Sequence, residues 1–232
     1  PGAICLERAE EYPAKLEDVG KVVAGFLARK AQILSLAQDA AKAHNGKVHV
    51  PDALLSEVTA LVEWPIPVVG SFDDGFLQLP DEVLISTLEE HQRYFPVHKA
   101  GGGLSNQFIT ISNIASTAPD QVRLGNEKVV KPRLADAAFF WQQDLKLSLR
   151  DRAHKLSDVV YQKGLGSIHD KSQRVAKLAG AIAEALGNNP ADAISAGQLA
   201  KADLLTEMVG EFPELQGVMG HYYAKLDGEP ND

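Results

Sequence analysis

Cys5 is the only cysteine in the chain, so an internal disulfide and a cysteine-based zinc cluster are both excluded. No run of 18 apolar residues occurs, which excludes a membrane-spanning helix. There is no excess of positive charge: the net charge is −8. A protein that bound nucleic acid over its whole surface would be basic, so any such contact here has to be a local patch. Pro1-Gly2-Ala3 carries no Met, no basic stretch and no apolar leader, so the chain is expected to be an excised fragment with a cytoplasmic home. Internal repeats and low-complexity segments are lacking as well.

What remains is ordinary globular composition, 45% hydrophobic and 23% charged over 232 residues. Apolar spacing predicts a long helix over Glu17–Ala43, ended by Asn45-Gly46, and a second helix to Leu61 capped by Asp52. Residues 65–72 are β-branched but interrupted by Pro65 and Pro67, which reads as an edge strand. Pro80 opens a helix to about Glu90. Residues 94–98 and 107–114 read as strands joined through Gly101-Gly102-Gly103. Beyond Pro119 the pattern is helical, with Pro132 expected near a first turn. Helices are predicted over 149–161, over Asp170–Leu186 with Val175, Leu178, Ile182 and Leu186 as its core stripe, and from Asn189-Pro190 through Leu204 and Met208. The fold class is therefore an α+β half with a mixed small sheet, 1–119, followed by an all-α half, 120–232.

Few chemistries fit these residues. The triple glycine lacks the Lys-Ser/Thr of a phosphate-binding loop, and Gly164-Leu165-Gly166-Ser167 follows no strand. No Gly-x-Ser-x-Gly elbow is present, and His91, His98 and His221 stand alone. His169-Asp170 has the form of a metal-binding pair, but its ligands would have to converge from separate helices. Arg123, Lys128, Lys131 and Arg133 form a basic cluster suited to phosphate oxygens, with Glu127 and Asp136 nearby as competing partners.

Four strings point to a family: His91–Val97 (HQRYFPV), Gly125–Lys146 (GNEKVVKPRLADAAFFWQQDLK), Leu165–Lys171 (LGSIHDK) and Lys201–Ala224 (KADLLTEMVGEFPELQGVMGHYYA). In this order they closely resemble the β subunit of the bacterial heterotetrameric glycyl-tRNA synthetase, as does Val62-Glu63-Trp64-Pro65. The resemblance implies a first half similar to part of the B3/B4 region of the phenylalanyl-tRNA synthetase β subunit, and a second half that is an HD-like helical domain. An anticodon-binding domain is expected beyond Asp232. It further implies an α subunit that activates glycine with ATP and Mg, a tRNA-Gly partner, and no cofactor or catalytic residue in this segment. Lys171 and Ala202 stand where the HD pattern has histidines, with Asp203 beside Ala202, so the metal site is expected to be degenerate. Lys128, Lys131, Arg133 and Arg123 become the expected tRNA contacts. The rival readings are an HD-type phosphohydrolase and a purely structural connector, the latter drawing on Phe212, Tyr222 and Tyr223.

Overall fold

A computed structural model describes residues 2–230. The chain divides into two compact units, one up to Ala135 and one from Asp136 onward.

In the first unit a short helix α1 (Tyr12–Lys15) runs into a π turn, Leu16–Gly20, and Lys21 adopts left-handed φ of 53°. The single helix expected from Glu17 is therefore interrupted, and α2 (Phe26–Ala43) starts only after Gly25. Tertiary hydrogen bonds outweigh helix periodicity here. The Val23 N–H donates to the Glu63 carbonyl at 2.9 Å, and the buried Arg29 guanidinium donates to the carbonyls of Val23 and Thr59. Just past α2, Asn45 with its φ of 56° turns the chain into β1 (Gly46–Val48), a three-residue strand that the pattern did not predict.

Then follow α3 (Asp52–Leu61), β2 (Ile66–Ser71), α4 (Asp81–Gln92), β3 (Phe95–Lys99) and β4 (Leu104–Ser112). The strands form one antiparallel sheet in the order β1-β3-β4-β2, which puts β2 at an edge as its prolines require. Pro51 rather than Asp52 is the cap of α3, and Asp52 instead pairs with Lys30 at 2.6 Å. The core lies between α2, α3 and the sheet: Ile33, Ala37, Leu55 and Val58 pack on Phe95, Val97, Ile109 and Ile111. The opposite side of β4 is also covered, because Phe108 is fully buried and stacks on Tyr94 with ring centroids 5.0 Å apart.

Helix α5 (Pro119–Asp144) carries Pro132 in mid-helix, not near a first turn. Pro132 and Lys128, the residue whose carbonyl loses its helical donor, are both exposed.

The second unit contains α6 (Leu149–Lys155), a small ribbon of β5 (Val160–Gln162) and β6 (Gly166–Ser167), then α7 (Ile168–Ala185), α8 (Pro190–Leu199), α9 (Glu207–Glu211) and α10 (Val218–Leu226). The helix expected over 149–161 stops at Lys155. Gly164 and Gly166, both with φ of 84°, fold the chain back so that the Ile168 N–H reaches the Val159 carbonyl at 2.8 Å. The helix expected through Met208 is likewise broken after Leu199, because Thr206 caps a new start: its hydroxyl oxygen accepts from the Val209 N–H.

The largest departure concerns α7. The face packed on α8 is Ser172, Ala176, Gly180 and Ala183, whereas Val175, Leu178, Ile182 and Leu186 are exposed. Small residues win because they let the two backbones approach. A Cβ added at Gly197 would sit 2.6 Å from the Ala176 Cα.

Candidate functional site

The basic cluster sits on α5. Lys128 and Lys131 are exposed and three residues apart, so they share a face. Arg133 comes two residues later, about 200° further round the helix, and its Nη1 lies 3.1 Å from His91 Nδ1. Arg123 is already engaged: its Nη1 donates to both carboxylate oxygens of Glu127 at 3.1 Å, and its Nη2 lies 3.6 Å from Asp120. Glu127 also accepts from the N–H and hydroxyl of Ser71, which ties α5 to the end of β2. Four cations close in sequence are thus distributed over different sides of one helix. Lys128 and Lys131 are the pair with side chains turned together to solvent.

The positions compared with the HD pattern are occupied differently. Lys171 Nζ lies 4.3 Å from the centroid of the Tyr161 ring, a cation–π contact. Ala202 is buried without any polar atom in its side chain. Asp203 is also buried, and its Oδ2 accepts from the N–H groups of Gly217 and Gly220 at 2.5 and 3.1 Å. It caps α10 from a distance, because Gly217, the residue preceding that helix, has no side chain for the task. His169 does not converge on Asp203: its Nδ1 is 3.1 Å from the Ala153 carbonyl, and Asp170 closes a capping box with Ser167. Those Ser167 hydrogen bonds hold the Asp170 carboxyl below the usual carboxylate range. Among the described residues no three His, Cys, Asp or Glu side chains gather in a metal-holding group.

The densest polar constellation is one that spacing did not reveal. Asp144, at the end of α5, is 1% exposed. It accepts from Arg152 Nη2 at 3.2 Å, from the N–H groups of Glu207 and Met208 at 2.9 and 3.0 Å, and from the Tyr223 hydroxyl at 2.9 Å. Arg152 also donates to the carbonyls of Leu205 and Asp144. Burial, then the neighbouring Asp144, drive the Tyr223 hydroxyl far above the usual phenol range, so it stays a donor. Tyr223 stacks on Trp141 at 5.1 Å, and Phe212 is buried, so two of the three aromatic residues considered for an interface belong to the core. The participants lie at 144, 152, 207 and 223, and only the Trp141–Asp144 and Tyr222–Tyr223 neighbourhoods hinted at them.

One of these two constellations is a helix cap and the other an ion pair satisfied by backbone, and neither names a function. What the chain shares with other proteins is therefore decisive. The family model described as "Glycyl-tRNA synthetase beta subunit" matches residues 1–232. The chain belongs to the glycyl-tRNA synthetase β-subunit family. A glycine–tRNA ligase β subunit from Stutzerimonas stutzeri is 49% identical over 234 aligned residues, covering 100% of this chain and 34% of that protein. The counterpart in Ectopseudomonas mendocina is 53% identical, covering 91% of this chain and 31% of its own length. That of Photobacterium profundum is 49% identical over 98% of this chain. The chain thus spans about a third of the length of these β-subunit relatives. No helix among its described residues is long and apolar enough to cross a membrane.

Proposed function

We propose that this chain is a non-catalytic region of the β subunit of glycine–tRNA ligase that helps hold tRNA-Gly for aminoacylation by an α subunit. The full-length match to the β-subunit family carries the reading. The α subunit would use ATP and Mg to activate glycine, and this region would place the acceptor end by orientation rather than by chemistry. The exposed Lys128–Lys131 pair supports a contact to phosphate oxygens. Arg133 would act from another side of α5. Arg123, held by Glu127, would give up an ion pair to join them.

The test is glycylation by the assembled synthetase with Lys128, Lys131 and Arg133 changed to Ala. The KM for tRNA is expected to rise while those for glycine and ATP hold. The slope of log KM against log salt is expected to flatten by about 0.9 for each phosphate that no longer meets a cation. An unchanged tRNA KM with an unchanged salt slope overturns the assignment of these residues to tRNA.

A further inference from the structure

Helix α7 has two apolar faces, and among the described residues only one of them is covered. Its small-residue face meets α8. On the other side Val175, Leu178, Ile182 and Leu186 are 45%, 63%, 51% and 71% exposed. Steps of three, four and four residues keep these four within about 80° of one another. The ribbon ahead of the helix adds Tyr161 and Leu165, both exposed, beside its first turns. It is fastened there by Lys171 over the Tyr161 ring and by Arg174 donating to the Leu165 carbonyl at 3.2 Å. From Val175 to Leu186 this row of large aliphatic side chains makes about 16 Å of apolar seam along the helix. Soluble domains rarely leave such a continuous patch to water, and its 3-4-4 spacing is that of a helix-on-helix contact.

We propose that this seam seats an amphipathic helix supplied by the part of the β-subunit polypeptide outside these residues. Three observations favour that occupant. Relatives matched over this entire chain are matched over only 34% of their own length, so about two thirds of such a polypeptide is available. Being covalently joined, it competes at high effective concentration against any separate molecule. Arg174 is exposed at one edge of the seam, so the seated helix carries an acidic residue opposite it. A second copy of the chain is disfavoured by its net charge of −8.

The inference needs only the family assignment, not the tRNA contact, and the two fail separately. Leu178→Cys and Ile182→Cys are introduced singly into a full-length β subunit carrying Cys5→Ser. Maleimide labelling is timed in the folded subunit and in the same subunit unfolded in urea. Folding is expected to slow labelling at both positions by at least about tenfold, the protection of a covered site. A Leu178→Lys/Ile182→Lys double variant is expected to lower the Tm of the full-length subunit. Labelling as fast in the folded subunit as in urea overturns the proposal. So does protection that appears only when the α subunit or tRNA is added. Protection that disappears on dilution overturns it too, since a second copy would then be the cover.

Discussion

Single residues hold this fold at points where charge has been taken out of water. Glu89, on α4, has Oε1 buried without a hydrogen-bond partner and 3.8 Å from His49 Nε2. That separation allows attraction but no hydrogen bond. Burial, then the adjacent Glu90, raises its carboxyl from 4.5 to about 7. Below the unfolded value the group is neutral in both states and costs nothing. Between 4.5 and about 7 the folded state keeps a proton that the unfolded state has released, so stability falls as pH rises through this window and levels off above it. Glu89→Gln is therefore expected to raise the Tm at pH 8 and leave it unchanged at pH 4.5. Thermal melts at both pH values check this, and equal shifts count against it. Asp144 is the opposite case, a buried carboxylate with every partner in place. Asp144→Ala removes the carboxylate that offsets the buried Arg152 charge and takes the acceptor from two helix N–H groups and the Tyr223 hydroxyl, and is expected to cost about 3–5 kcal/mol in urea denaturation. Asp144→Asn, which keeps an acceptor, is expected to cost less.

Among the elements, α7 and α8 are joined through small residues. The added Cβ of Gly197→Ala meets the Ala176 backbone, with its Cα at 2.6 Å and its nitrogen at 2.8 Å, and backbone does not yield as a side-chain tip does. The expected loss is about 1–3 kcal/mol, read as a lower Tm. Gly210, in α9, is the control: nothing lies within 4 Å of its added Cβ. There Gly210→Ala is expected to stabilise by about 0.4–1 kcal/mol. The sheet strands β2, β3 and β4 and the starts of α4 and α8 were legible because Pro, Gly and Asn punctuate them locally. β1 was not, since a three-residue strand has no periodicity of its own and exists through its pairing with β3. In α7 the apolar stripe was legible while its partner was not. Spacing identifies a hydrophobic face but not whether anything lies against it.

For the molecule as a whole, charge and length set the frame. With a net charge of −8, the proposed phosphate contact by Lys128 and Lys131 would act against a repulsive background. The salt slope of tRNA binding should consequently reflect a few local contacts rather than a broad basic surface. The candidate site was legible only as a set of cations. The 3.6-residue turn of α5 separates Arg133 from the lysines, and Glu127 holds Arg123. The metal-like positions were legible as departures, Lys171 and Ala202, but the use to which Asp203 is put came from α10 folding back over it. By itself the sequence determined the family, the lack of cysteine chemistry and most element positions, because these depend on composition and neighbours along the chain. Tertiary structure alone decided which faces are covered and which carboxylates are buried, because residues 144, 152, 207 and 223 meet only when four separate helices pack.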